Sequence, residues 1–259
     1  MHEIAFHVGR LEVHWYGILV AVGFLAAIWT ATRRAMAAGM APEPIADIGV
    51  WLLVGAMAGA KALYVITYWR QDGGKTSLSD MIFTRTGFVF YGGLIGATAA
   101  GLLFAWWKKL PVWKTADVLA PSIALGHGIG RIGCLMTGCC FGRNTSVPWA
   151  VHFPAHHTTL GQGVHPTQVY ESLLNLGLFT ALAWLFRRKH FDGQVFATYL
   201  IGYALLRSVV EVFRGDYEPQ LLSGRATPAH WVSLGIFAVG MTLYAMLREA
   251  KAAAPAPKP

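Results

Sequence analysis

Residues 13–32 read VHWYGILVAVGFLAAIWTAT, a run of twenty positions without one Asp, Glu, Lys or Arg. A helix of about 20 predominantly apolar residues crosses the hydrocarbon core of a bilayer, so this stretch predicts a membrane span. Working outward, Thr86–Trp107 and Ala226–Leu247 contain runs of the same kind. Four further stretches, Ile45–Trp69, Ala116–Gly130, Val169–Phe186 and Gln194–Phe213, are apolar enough to span but carry ionisable side chains. The expected fold is an all-α integral membrane protein with seven transmembrane helices. Composition agrees: of 259 residues 55% are hydrophobic and 13% charged, against roughly 25% charged in a soluble domain. Such a chain is too apolar for intrinsic disorder. Its net charge of +8 is not gathered into a solvated basic patch, which excludes a nucleic-acid partner.

The basic residues set an orientation. Eleven of them (Arg33, Arg34, Lys108, Lys109, Lys114, Arg187, Arg188, Lys189, Arg248, Lys251 and Lys258) fall on one side of the alternating spans. Seven (Arg10, Arg70, Lys75, Arg85, Arg143, Arg214 and Arg225) are spread over the longer loops of the other. The positive-inside rule then expects a periplasmic amino terminus and a cytoplasmic carboxy terminus. The first twelve residues are short and polar and do not read as a removable signal peptide. Residues 1–250 are expected to form one seven-span domain, with 131–168 as a periplasmic loop and small arm and 251–259 as a disordered tail. No internal repeat is evident, which lowers an inverted-repeat transporter reading. Long loops tend to carry chemistry, and the stretch Arg131–Gln168 holds all three cysteines.

Ionisable groups at membrane depth cost ~2.5–3.5 kcal/mol or more on insertion scales and usually mark function. Tyr203, Arg207, Glu211 and Arg214 are spaced by 4, 4 and 3 residues, which predicts one helical face. They either neutralise one another in packing or, with two Arg against one Glu, leave a positive surplus for an anion. Lys61 lies in the second span with Tyr64 and Tyr68; it either snorkels to the interface or joins that surplus. Arg131 sits in Gly130-Arg131-Ile132-Gly133 after an apolar stretch. Arginine's planar fork suits phosphate, and converging cations inside a bundle point to a lipid phosphate. The glycines of Tyr91-Gly92-Gly93-Leu94-Ile95-Gly96 and Gly126-His127-Gly128-Ile129-Gly130 let helix backbones approach. Lacking a preceding strand, they are not a nucleotide loop.

These motifs together resemble the prolipoprotein diacylglyceryl transferase family. The resemblance runs from Trp15-Tyr16-Gly17 to His230-Trp231. It includes Gly130-Arg131-Ile132-Gly133 with Gly142-Arg143, Phe90-Tyr91-Gly92-Gly93, His165-Pro166-Thr167-Gln168-Val169-Tyr170-Glu171, and Ile201-Gly202-Tyr203 with Arg207, Glu211 and Arg214. It implies transfer of the diacylglyceryl group of phosphatidylglycerol to the lipobox cysteine thiol of a preprolipoprotein, with a thioether formed and glycerol phosphate released. It implies a bacterial inner-membrane location and roles for Arg131, Arg207 and Tyr203 in catalysis. Tyr16, Lys61, Gly142, His165, Gln168, Glu171, Glu211 and Arg214 are expected to contact substrate.

The sequence departs from the family pattern. Where the signature usually has two Asn and a Glu after the Arg, this chain has Cys134, Thr137 and Cys139. Where a His serving as base usually precedes Gly92-Gly93 stands Tyr91, a poor base because an unperturbed tyrosine titrates near 10. His127, four residues before Arg131, either replaces that imidazole, with Tyr91 hydrogen-bonding nearby, or is a packing histidine. Cys134, Cys139 and Cys140 are expected to form one disulfide and one spare thiol. A zinc site with His152, His156 or His157 is weaker because Cys-x₂-Cys spacing is lacking, and a free catalytic or carrier thiol stays open. Gln168, Glu171 and Asn175 form a polar stripe. No metal or other cofactor is expected. The expected partners are phosphatidylglycerol, the preprolipoprotein signal peptide and membrane lipids, and the chain is expected to be a monomer. The rival readings are a divergent paralogue with another acceptor and a non-catalytic lipid-binding or transport protein.

Overall fold

A computed structural model of the chain describes residues 4–9, 11–71, 77–84, 87–215 and 227–253. Arg10, Lys75, Arg85, Arg225, the expected span starts at Thr86 and Ala226, and the tail from 254 lie outside the described residues. A hairpin of β1 (Ile4–Val8) and β2 (Leu11–His14) leads into α1 (Trp15–Ala37). Then follow α2 (Pro42–Gln71), the short α3 (Leu78–Phe83), α4 (Phe90–Trp107) and α5 (Val112–Thr137). A loop carrying β3 (Val151–His152) and β4 (Gly163–Val164) precedes α6 (Thr167–Phe186), α7 (Gln194–Phe213) and α8 (Pro228–Ala253). All except α3 are long and apolar enough to cross a membrane, which gives the expected seven. Leu25, Ile66, Leu103 and Val209 are exposed, whereas Asp117, Gln168, Glu171, Asn175 and Glu211 are among the largest fully buried side chains. Apolar outside and polar inside is the arrangement that a hydrocarbon solvent requires.

Two expected boundaries move. Arg131 is not in a loop: α5 continues through it to Thr137 and ends at Gly138, whose φ of +76° is left-handed. Lys251 to Ala253, expected to belong to a disordered tail, are the last residues of α8. Lys251 Nζ donates to the His190 carbonyl, which ties down that last turn.

The chain falls into two compact units, Thr32–Thr115 and the remainder. In the first, α2 and α4 touch backbone to backbone. A Cβ on Gly59 would stand 2.8 Å from Gly96 Cα, and one on Gly92 would stand 2.6 Å from Leu63 Cβ. Glycine is required there because any side chain would occupy the neighbouring helix. Lys61 Nζ donates to the Thr84 and Gly87 carbonyls at 2.9 and 3.4 Å and lies 4.8 Å from the centre of the Phe88 ring. Its charge thus meets carbonyl and aromatic partners within its own unit.

In the second unit, α1 and α5 pack through Gly23 and Gly126, reinforced by a 2.8 Å contact between the Thr30 and Ser122 hydroxyls. Asp117, fully buried on α5, joins three segments. Its Oδ2 accepts from Lys189 Nζ at 2.8 Å and from the Gly193 amide at 2.9 Å, and its Oδ1 accepts from the Phe196 amide at 2.9 Å. A carboxylate therefore caps the start of α7 from another helix, where the helix dipole favours negative charge. Burial alone would lower the pKa of Lys189, but hydrogen bonds to Asp117 and Asp192 raise it above its ordinary value.

Candidate active site

The glycines of α5 let α6 approach. Ser172 Oγ donates to the Gly128 carbonyl at 2.8 Å, and a Cβ on Gly128 would stand 3.2 Å from the Ser172 carbonyl oxygen. This contact brings Glu171, the preceding residue of α6, to the face of α5 that carries His127 and Arg131. Arg131 Nη2 lies 3.0 Å from Glu171 Oε1, and Arg131 Nε donates to His127 Nε2 at 3.1 Å. His127 Nε2 is also 3.2 Å from Glu171 Oε1. One ring nitrogen cannot accept from the arginine and donate to the carboxylate at once. The neutral ring with its proton on Nδ1 fits the arginine contact; a proton on Nε2 would turn the ring toward Glu171 and away from Arg131.

The third arm of the guanidinium points elsewhere. Arg131 Nη1 lies 3.5 Å from Cys140 Sγ and 3.9 Å from Cys134 Sγ. The expected disulfide is not formed: Cys134, Cys139 and Cys140 are free, with all three sulfurs within 4.8 Å of one another. The local backbone explains the convergence. The Cys139 amide closes the end of α5 on the Cys134 carbonyl at 3.2 Å, and Cys140 adopts φ +62°. The next carbonyls are pinned from α6: Gln168 Nε2 donates to Cys139 O at 2.7 Å and Thr167 Oγ1 to Cys140 O at 2.6 Å. Hydrogen bonds from Cys134 and Cys140 hold the Cys139 thiol well below the ordinary thiol range, with Thr137 and the Arg131 charge adding to the effect. Tyr16, in the first turn of α1, packs on Gly133: a Cβ there would be 3.2 Å from its ring.

A second ion pair lies on α7, where Arg207 Nη1 is 2.6 Å from Glu211 Oε2. Glu211 Oε1 accepts from Thr227 Oγ1 at 2.6 Å, which ties the pair to the start of α8. Tyr203, one turn before Arg207 on α7, stands against the first pair, its ring centre 5.6 Å from that of His127. The expected surplus of Arg207 and Arg214 over Glu211 does not form on one helical face, because Arg207 is paired with Glu211 and Arg214 lies past the end of α7; Arg131 has its own carboxylate, Glu171 of α6. A cleft of about 430 Å³ opens between α7 and α8, lined by Ala204, Leu205, Ser208, His230, Trp231 and Leu234.

The other expected residues divide. Arg214 is not on the helical face of Arg207: α7 ends at Phe213, and Arg214 is extended (ψ 144°) and bridges to Gly142. Its carbonyl accepts from Arg143 Nε at 3.1 Å. Gly142 is wedged where a Cβ would stand 2.6 Å from both His165 Cβ and the Phe213 carbonyl oxygen. His165 holds this joint, with Nδ1 at 3.1 Å from the Tyr170 hydroxyl and its ring against Phe213. Lys61 and Tyr91 belong to the other compact unit. Tyr91 is 51% exposed there, with its ring edge-on to Phe90. His157 stacks on Phe153 and lies 2.9 Å from the Gly138 carbonyl oxygen. Sequence reasoning missed Asp117 and Thr227. Asp117 had a readable signal, a lone carboxylate in an apolar span; Thr227, next to Pro228, had none.

A sequence model of the prolipoprotein diacylglyceryl transferase family matches residues 3–246, nearly the whole chain. The chain belongs to this family. Among curated relatives, the phosphatidylglycerol–prolipoprotein diacylglyceryl transferase of Synechococcus elongatus is 36% identical over 244 residues, covering 90% of this chain and 83% of the relative. The transferase of the same name from Finegoldia magna is 36% identical and covers 94% of each chain. That of Geobacillus kaustophilus is 34% identical, over 97% of this chain and 94% of its own. A multi-pass membrane protein of the diacylglyceryl transferase family therefore carries, on α5 to α7, two arginine–carboxylate pairs with a tyrosine nearby and three thiols beside the first.

Proposed function

We infer that this chain transfers the diacylglyceryl group of phosphatidylglycerol to the cysteine thiol of a prolipoprotein. Family membership and the names of its relatives support the reaction. The observation that carries the assignment to residues is the three-way hold on Arg131. His127 and Glu171 take two arms of its fork, and the third arm makes only long contacts to sulfur. Those weak contacts give way to a phosphate oxygen, which makes a shorter and stronger charge-assisted bond.

In this reading the acceptor thiolate attacks the glyceryl carbon that bears the phosphate ester. The sulfur–carbon bond forms, the carbon–oxygen bond breaks, and the electron pair leaves on the phosphate oxygen of glycerol phosphate. Arg131 meets the charge that develops on that oxygen, a role that is strongest in a site shielded from water. The cleft between α7 and α8 has apolar walls that suit an acyl chain, and Arg207, paired with Glu211, is the second cation near the site. His127 acts here as a positioning residue for Arg131, since the lone pair facing the cluster is occupied. Gly142, His165, Gln168 and Arg214 fix the loop that carries the thiols, and Tyr16 lines it. Family membership supports a plasma-membrane location, the Lys and Arg distribution supports an outer amino terminus, and a monomer suffices for every contact described.

The test incubates the purified chain with phosphatidylglycerol and a lipobox peptide. A thioether-linked diacylglyceryl peptide with release of glycerol phosphate is expected. Donor turnover without peptide modification would move the assignment to another acceptor, and no turnover would leave a lipid-binding protein. For the positioning role, His127→Gln is expected to keep the pH profile of kcat/KM. Loss of its acidic limb would instead make His127 the base.

A further inference from the structure

We propose that Cys134, Cys139 and Cys140 form a three-thiolate site for a zinc ion whose fourth position takes the acceptor thiol. The proposal rests on the transferase reading for the identity of that thiol, and on geometry for the site.

Three sulfurs already stand within 4.8 Å of one another. With zinc–sulfur bonds of about 2.3 Å, sulfurs on one tetrahedral ion stand about 3.8 Å apart, so small side-chain rotations close the site. A disulfide needs two sulfurs at about 2.0 Å and leaves the third with no role. The cluster is also held from outside. Gln168 and Thr167, both buried on α6, fix the carbonyls of Cys139 and Cys140. Cys140 takes a left-handed φ of +62°, a conformation that a side chain adopts at some energetic expense and that tends to persist at functional positions. Three thiolates around Zn²⁺ carry one net negative charge, and the Arg131 guanidinium lies against two of the sulfurs. The spacing that made zinc unattractive in the sequence is overcome because the end of α5 folds Cys139 and Cys140 back onto Cys134. His157 is not the fourth ligand: its Nε2 lies 2.9 Å from the Gly138 carbonyl oxygen and its Nδ1 accepts from the Thr159 amide at 3.2 Å.

Three protein ligands with one position left for water or substrate is the pattern of catalytic zinc. Cys139 is exposed, so the open position is reachable. An incoming thiol displaces the bound water and loses its proton to solvent, because a thiol coordinated to zinc is deprotonated outright. The zinc-held thiolate then forms the sulfur–carbon bond while the carbon–oxygen bond to phosphate breaks. The neutral thioether, a weaker ligand, departs and water returns. No electron is gained or lost by the metal. Generation of the nucleophile then needs no separate base, in a chain where Tyr91 stands at the usual histidine position and His127 is turned to Arg131. The arginine that receives the leaving phosphate lies one contact from the metal-held sulfur.

The experiment purifies the full chain in detergent under reducing, chelator-free conditions. It measures zinc per chain, then replaces zinc with Co²⁺ and records the sulfur-to-cobalt charge-transfer absorption. Expected are one zinc per chain and a cobalt spectrum that changes when a lipobox peptide is added but not when its cysteine has been alkylated. Cys139→Ser should lose metal by more than the ~10–100-fold typical of losing an outer partner, while Cys139→His, still a ligand, should retain it. A chain that binds no zinc, or whose cobalt spectrum ignores the peptide thiol, overturns the proposal. So does full transferase activity after the metal has been stripped. The spectroscopic arm uses the unmutated chain, so a variant that fails to fold does not decide the result. A chain that binds zinc and the peptide thiol but transfers no diacylglyceryl group supports the site and sinks the reaction assigned above.

Discussion

The helix pair α2–α4 and the helix group α5–α6–α7 are assembled with a different balance of means. In the first, side chains are removed: Gly55 and Gly59 of α2 meet Gly92 and Gly96 of α4, and the backbones touch. In the second, charges are installed: Arg131 on α5 meets Glu171 on α6, and Tyr203 on α7 stands against His127. Lipid tails are as apolar as leucine, so burial alone does not drive helices together in a membrane. Close backbone contact solves that problem but leaves no room for a substrate. A few directional polar contacts also solve it, and they leave unfilled hydrogen-bonding capacity between the helices. The family's chemistry fits the second solution.

The sharpest break in this comparison is at Arg131. Arg131→Ala is expected to lower kcat by about 10²–10³ or more, as loss of a transition-state charge stabiliser does. It also leaves Glu171 buried without its cation, at about 3–5 kcal/mol. Arg131→Lys restores the charge but not the fork, so it should recover most of the thermal stability and little of the activity. Equal activity for the lysine variant and the parent, measured with phosphatidylglycerol and peptide, would mean that the three-armed geometry is irrelevant.

Asp117 belongs to the same polar strategy without belonging to the site. Asp117→Ala removes the cap of α7 and the partner of Lys189, and should cost about 3–5 kcal/mol. A thermal melt in detergent checks this, with activity per folded molecule unchanged. The pH dependence has a definite sign. Because the folded state raises the pKa of Lys189, its contribution is complete below the ordinary value of 10.5 and fades as pH rises through the raised one. The parent should therefore lose stability in that alkaline window more steeply than Asp117→Ala does.

The two strategies were not equally legible. Seven spans could be read because length and lack of charge are local properties, and Gly92 and Gly96 announced their packing by spacing. Arg131 and Arg207 stood out because charge is rare at membrane depth. Their partners were harder. Glu171 was seen as part of a stripe, but that it neutralises Arg131 depends on Gly128 letting α6 approach α5, which no single segment encodes. The glycines around Arg131 read as the end of a span, whereas the helix continues through them, with Gly128 packed against Ser172 and Gly133 against Tyr16. The cysteines suggested a disulfide by count; convergence of all three sulfurs depends on the turn at Gly138 and on carbonyl contacts from α6.

The glycine strategy is tested at smaller magnitude. Gly59→Ala places a methyl group against the Gly92 carbonyl and the Gly96 backbone, which cannot rotate away. Such overpacking should cost about 1–3 kcal/mol in a thermal melt. Gly93→Ala is the internal control. It lies on the facing helix of the same pair, α4, but its Cβ would stand 3.3 Å from the Ala56 carbonyl oxygen, and its effect should be several-fold smaller. Similar losses for both would mean that the tight contact is not what holds α2 to α4.

The smallest effect is the most discriminating. Gly130, beside Arg131 on α5, has no atom within 4 Å of where its Cβ would be, and the same is true of Gly177 on α6. Neither glycine is needed for packing between described residues, and neither has a left-handed backbone, so alanine should stabilise each helix by about 0.5–1 kcal/mol. The two positions differ only in what lies beside them. In the proposed reading the space next to Arg131 is where the glycerol backbone of the donor passes, whereas Gly177 adjoins none of the residues assigned there to substrate. Gly130→Ala should therefore melt slightly higher and transfer more slowly, with the loss in KM for phosphatidylglycerol, while Gly177→Ala should melt slightly higher and transfer as the parent does. If Gly130→Ala leaves KM unchanged, the donor does not approach along this face of α5, and the open side of Arg131 must be reached from the thiols instead.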